Sequence, residues 1–271
     1  MRSLLILGAG RSGTSMTAGL FARTGAYMGE DFHEPRLANP LGFYEDAEIN
    51  RLNDNVILRM LRAGWRKLYW RVGPAMHRHP NALWLASPRS PRLVSIPGEI
   101  RERMCEHFRR QPFCLKDPRF SITLPVWRPY LPPRTRFLVV FRDPGRTVDS
   151  MLREATETYD PPLPLTAHWA YTSWYRMYRT LLRNFSHRGE WLFVSYDQVA
   201  SQRALPALEN FAGAPLRREN IRPSVSRARP RKPPGFRVAQ ACEELFGELC
   251  ERAERDLANW SRPFEARSEV A

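Results

Sequence analysis

The sequence lacks the cysteine and histidine patterns that build metal sites or disulfide frameworks. Its four cysteines, Cys105, Cys114, Cys242 and Cys250, form no C-x-x-C pair, and no cysteine lies near His77 and His79. The six histidines show no metal-ligand spacing. These absences exclude a zinc module and a stapled secreted scaffold, so reduced thiols are expected, with Cys114 in the core and no metal. No apolar run approaches the length of a membrane-spanning helix. The run at residues 4–7 is too short for the hydrophobic region of a signal peptide and leads straight into a glycine loop. The expectation is a soluble cytoplasmic chain, with peripheral membrane contact left open. Acidic residues are scarce as well: 28 Asp and Glu face 42 Lys and Arg, a formal charge of +14. Such a surplus draws anions, whether nucleic acid, an anionic membrane surface or a small polyphosphate. Internal repeats are missing too.

What is present suffices for a packed core. Hydrophobic residues make up 43% of the chain and aromatics 11%, which fits a folded protein. A length of 271 residues supports a core without staples. A single domain over residues 1–271 is expected. Residues 4–7, 113–115, 137–141 and 191–195 read as short buried strands. Helical patterns occupy residues 14–24, stopped by Gly25, and residues 48–61, 165–184, 198–212 and 239–260. Another helix follows the strand at 137–141. Asp143 suits its N-cap, Pro144 its first turn, and Val148, Met151, Leu152 and Ala155 its core face. Residues 64–98, rich in Pro, Trp and Arg, read as loop with short helical pieces and form a candidate acceptor-facing insertion. Strand alternating with helix predicts an α/β, P-loop-like three-layer fold, its central parallel sheet covered by helices on both faces. The basic stretch at 217–237 lacks the aromatic interleaving of a nucleic-acid patch, so it reads as a solvated loop or a phosphate lid.

Chemistry concentrates where strands end. Residues 8–15 read GAGRSGTS. A turn whose N–H groups converge before a helix makes an anion cradle, and Gly10 and Gly13 permit close backbone approach. The glycine spacing matches a P-loop from Gly8 to Gly13, but Thr14 stands where the lysine of G-x-x-x-x-G-K-[ST] belongs, and Ser15 follows. The loop carries its cation earlier, as Arg11, which argues against an ordinary kinase or ATPase. Arg142 ends the strand at 137–141, where ligands bind in open parallel sheets. Ser150 lies about 200° around the helix from Val148 and so points away from the core face. An arginine and a hydroxyl so placed suit a second phosphate.

Three segments in order, RSGTS at 11–15, RDPGRTVDS at 142–150 and YDQV at 196–199, resemble the PAPS-dependent sulfotransferase family, which uses 3′-phosphoadenosine-5′-phosphosulfate as sulfuryl donor. GFYED at 42–46 and LKDPR at 115–119 resemble bacterial members. The resemblance implies that the backbone amides of residues 12–15, from Ser12 on, hold the 5′-phosphate, with Thr14 and Ser15 hydroxyls on its oxygens. It implies that Arg11 neutralises the bridging oxygen as the sulfuryl group leaves, and that Arg142 and Ser150 recognise the 3′-phosphate. A planar guanidinium can take two phosphate oxygens at once.

Sulfuryl transfer needs a base for the acceptor. Some family members use a histidine after a middle strand, and this chain has none beside Lys116. Others use a glutamate beyond the first helix. Glu45 is the first candidate on that pattern and Asp117 the second, while Lys116 and Arg119 stand ready to stabilise charge. The competing structural readings are a helix cap for Glu45 and a turn for Asp117. A P-loop kinase or NTPase, a nucleic-acid-binding module and a sulfotransferase-like protein without catalysis remain open. The acceptor, whether small molecule, carbohydrate or lipid, is not written in the sequence.

Overall fold

The computed structural model describes residues 1–32, 42–64, 80–85, 94–160, 162–221 and 237–261. Among them, strand β1 (Leu4–Leu7) leads through the glycine loop into helix α1 (Thr14–Gly19). Helix α2 (Ala47–Gly64) and a 3-10 turn (Pro80–Leu85) follow. Helix α3 (Gly98–Arg109) precedes β2 (Cys114–Lys116), and α4 (Phe120–Trp127) precedes β3 (Arg136–Phe141). Next come α5 (Pro144–Glu157), α6 (Ala167–Thr180) with a π turn at its end (Leu181–Phe185), and β4 (Trp191–Ser195). Helices α7 (Tyr196–Ala200), α8 (Leu205–Ala212) and α9 (Arg237–Trp260) complete the order.

The four strands form one parallel sheet in the order β2-β1-β3-β4. Leu5 of β1 pairs with Leu115 on one side and Phe137 on the other. Side chains alternate across the sheet, so both faces must be covered when every strand position is apolar. Leu5, Leu7, Phe137, Val139 and Phe141 enter one core with α2, α4 and α6. Leu4, Ile6, Leu138, Val140 and Val194 enter a second core with α8. The three-layer α/β fold expected from the sequence is present.

The chain passes from β1 outward to β2, then across β1 to β3. The order therefore reverses between β1 and β3, which is where open parallel sheets bind ligands. The loops leaving these two strands are the glycine loop and the Arg142 turn. A single phenol ties them together: Tyr178 of α6 donates its hydroxyl to the Val140 carbonyl (2.8 Å) and accepts from the Ala9 N–H (3.0 Å). Burial pushes the Tyr178 hydroxyl well above its ordinary range, so it remains a donor.

Several elements differ from the sequence reading. α1 ends at Gly19 rather than near residue 24, and turns carry the chain on to Gly25. α3 and α4 fall where no helix is predicted. The expected helix over 198–212 is two helices, α7 and α8. Asp143 does cap α5, accepting from the Arg146 N–H at 2.7 Å, and Val148, Met151 and Ala155 are buried as expected, while Leu152 is only partly so. Cys114 is buried. Of residues 64–98, only Gly64, 80–85 and 94–98 are described. His33, the His77 and His79 pair, and the basic stretch around residues 229–236 lie outside the described residues.

Candidate active site

The glycine loop begins as the sequence suggests and then departs from a simple turn. Gly13 sits at φ 93° as the N-cap of α1, and a Cβ there would meet the Tyr196 ring at 2.6 Å. No other residue type fits both constraints. At Gly10 the space a Cβ would fill belongs to Trp84, whose ring atoms lie 2.5 Å from that point. The side of Gly10 where a Cβ would stand is occupied by this indole. Arg11 holds φ 71°, a left-handed conformation uncommon outside glycine. Ser12 is fully buried beside the Tyr178 hydroxyl, so its side chain faces the interior.

A cleft of about 590 Å³, its open mouth included, lies over this loop. Gly10, Arg11, Thr14 and Ser15 form its floor, and Phe43, Trp84, Pro118 and Tyr159 form apolar walls. Glu45, Lys116, Arg119 and Glu154 bring charge to it. Lys116 reaches Ser15 from the end of β2: its Nζ donates to Ser15 Oγ (3.0 Å), to the Phe43 carbonyl (3.0 Å) and to Glu45 Oε1 (2.5 Å). The position after Gly13 carries no lysine, yet an ammonium stands on the loop hydroxyl, supplied by the neighbouring strand.

Glu45 is buried at the cleft edge, paired with Lys116 and, at 3.8 Å, with Arg119. The helix cap that competed with a chemical role for Glu45 is filled by Asp46, which accepts from the N–H groups of Glu48 and Ile49. Burial pushes Asp46 up, but N–H donors from Glu30, Ile49 and Asp31 outweigh it and hold the carboxyl below its usual range.

Asp117 is set back from the cleft and has no exposed surface. Oδ2 accepts from Asn50 and Asn53 Nδ2 (both 2.8 Å), and Oδ1 accepts from the Arg119 N–H (2.8 Å) and Nη1 (3.2 Å). Four donors fill a carboxylate's acceptor directions. Arg119 is shared among three acids, with its Nε also 2.5 Å from Asp54 Oδ1. Burial pushes the Asp54 carboxyl up to about 7, although Arg119 pulls it down. The folded chain therefore keeps a proton that the unfolded chain releases from about pH 4 upward. The sign follows: this group's contribution to stability falls as pH rises from about 4 to 7 and is flat above. Urea titrations across that range should show a shallower fall in Asp54→Asn than in wild type.

Arg142 lies at the end of β3, and its guanidinium carbon is 4.1 Å from the centre of the Tyr196 ring, the ring that also meets Gly13. Burial pushes its pKa down from the ordinary arginine value, and an arginine still keeps its proton at neutral pH. Ser150 is buried on α5, and Arg11 Nε donates to its Oγ at 3.0 Å. The same Nε lies 3.2 Å from Glu154 Oε2.

The structure thus brings together Arg11 with Ser150, and Ser15 with Lys116 and Glu45, and keeps Asp117 behind them. Sequence reasoning did not single out Glu154, whereas Tyr196 opens the YDQV segment and Trp84 lies in the stretch read as a candidate acceptor-facing insertion. Glu154 carried a signal, since it lies one helical turn beyond Ser150 and shares its face.

No known family profile matches the chain, and no curated protein does. Among solved structures, the sulfotransferase domain of the olefin synthase from Synechococcus PCC 7002 aligns with 92% of this chain and 94% of its own, at TM-score 0.52 and 14% identity. The chain has the fold of a sulfotransferase domain. The sulfotransferase domain from the curacin biosynthetic pathway also aligns, with 92% of this chain and 98% of its own, at TM-score 0.48 and 11% identity. In this sulfotransferase fold the glycine loop and the Arg142 turn flank the reversal of strand order, and the cleft opens over the loop. Among the described residues, no helix is long and apolar enough to cross a membrane.

Proposed function

We propose that this chain is a single-domain cytoplasmic sulfotransferase that moves a sulfuryl group from PAPS to a hydroxyl or amine of a small-molecule, carbohydrate or lipid acceptor and releases PAP. The observation that carries this reading is Lys116 Nζ on Ser15 Oγ beside Glu45, in a cleft floored by the glycine loop. The fold likeness and the three sequence segments support it. PAPS enters as co-substrate and supplies the sulfuryl group.

The loop from Ser12 to Ser15 binds the 5′-phosphosulfate through the backbone N–H groups of residues 13–15, which near a helix start have no intrahelical acceptor, while the Ser12 N–H donates to the Ala9 carbonyl at 3.2 Å. Lys116 and Arg11 provide positive charge where the bridging oxygen becomes anionic, a preorganised electrostatic stabilisation. Glu45 takes the acceptor's proton as the acceptor oxygen or nitrogen attacks sulfur and the bond from sulfur to the bridging oxygen breaks. Lys116 neutralises Glu45 in the resting site, and a sulfuryl group that engages Lys116 releases that carboxylate for proton transfer. Arg142 and Ser150 hold the 3′-phosphate that distinguishes PAPS from ATP. The apolar walls receive the acceptor's carbon skeleton.

Calorimetric titration with PAP, using AMP and ATP as controls, tests the donor. PAP should bind tightest. Arg142→Ala should weaken PAP by roughly 10- to 100-fold, the size of a lost hydrogen bond to a charged group, and leave AMP nearly unchanged. Equal binding of PAP and AMP would remove the basis for a PAPS site and point to ATP or nucleic acid.

A further inference from the structure

α5 places Ser150 and Glu154 one turn apart, so both side chains face the same strip of the cleft. Arg11 lies against both: its Nε donates to Ser150 Oγ at 3.0 Å and is 3.2 Å from Glu154 Oε2. Glu154 is only 8% exposed and forms part of the wall of a cleft otherwise suited to anions. A nearly buried carboxylate requires a cation, and here the cation is one the donor site also needs. We propose that Glu154 is an internal competitor for Arg11, which weakens the hold on the nucleotide's 3′-phosphate and so speeds departure of PAP.

The inference rests on the reading that Ser150 receives the 3′-phosphate. A phosphate arriving there takes the hydroxyl from Arg11 and must share the guanidinium with Glu154. It also meets a carboxylate of its own sign across a distance too short for screening by salt. Both effects act against the bound nucleotide and none against the empty site, where Arg11 and Glu154 neutralise each other. When PAP leaves, Glu154 recaptures Arg11. AMP has no 3′-phosphate and leaves Ser150 to Arg11, so it disturbs the pair less. Product departure limits turnover in many enzymes, so a residue that loosens the product serves turnover.

The test is PAP and AMP affinity by calorimetry, and the PAP dissociation rate by stopped flow, in wild type, Glu154→Gln and Glu157→Gln. Glu157 is exposed on the same helix and controls for net charge. Glu154→Gln should tighten PAP and slow its dissociation about tenfold, with a smaller gain for AMP and Glu157→Gln near wild type. Glu154→Asp, which keeps the charge but draws it back by one methylene, should give an intermediate gain and serves if the glutamine variant folds poorly. PAP affinity unchanged or weakened in both Glu154 variants, with wild type still preferring PAP to AMP, overturns this inference alone. Wild type binding PAP no better than AMP overturns the donor reading and this inference with it.

Discussion

Glu45→Gln lowers the rate of sulfuryl transfer by about 10²- to 10⁴-fold, the usual contribution of a positioned base, and leaves PAP binding in place. Glutamine keeps the shape of the side chain and can still accept from Lys116, so the lining of the cleft is retained. What it cannot do is take a proton from the acceptor. The measurement is label transfer from sulfur-labelled PAPS to whichever hydroxyl or amine a screen with wild type identifies. Glu45→Asp should recover part of the rate, because the carboxylate survives on a shorter arm. A glutamine variant within a few fold of wild type would mean that Glu45 only neutralises Lys116 and that the acceptor's proton leaves by another route. Lys116 itself is bound to Glu45 at 2.5 Å in a buried site, so the same experiment reads whether that pair is a resting state or a permanent brace.

Asp117→Ala destabilises the fold by about 3–5 kcal/mol, the penalty for breaking a buried ionic network from one side. Asn50, Asn53 and two N–H groups of Arg119 lose their acceptor at once. Asn53 has little freedom to find another, because its Oδ1 already accepts from Thr123 Oγ1 (2.6 Å) and Trp127 Nε1 (2.7 Å). The result is read as a fall in the urea midpoint, with α2 and α4 loosened together because Asp117 lies between them. Burial pushes the Asp117 carboxyl up, opposed by Arg119, so the network is already held against a desolvation penalty. A folded, stable but inactive alanine variant would reverse this assignment and return Asp117 to the chemistry.

The parts of this molecule that the sequence announces are those governed by local rules. β3 is apolar from Phe137 to Phe141 because both its faces are buried, and Asp143 with Pro144 marks the start of α5 by capping alone. α4 escapes such rules. Its eight residues are buried almost all round and include Pro125, so no polar face sets a helical period and the proline argues against a helix. α1 reads too long because Met16 and Leu20 share a spacing of four, although the helix ends one residue before Leu20. The site divides in the same way. Arg11, Thr14, Ser15 and Arg142 stand in recognisable loops. Lys116 meets Ser15 across 101 residues, and Arg11 meets Ser150 across 139. These are tertiary encounters set by strand order, and no local pattern encodes which of several cations arrives at which hydroxyl.

The Tyr178 phenol has a consequence for how the two phosphate positions relate. It joins the backbone at Ala9, at the start of the glycine loop, to the backbone at Val140, on β3 just before the Arg142 turn. The separation between the two ends of the site is therefore set by main chain and one rigid ring, before any nucleotide arrives. Such a gauge measures length. A nucleotide whose two phosphates span the wrong distance meets the same charges at the wrong places, however well each phosphate suits its own pocket.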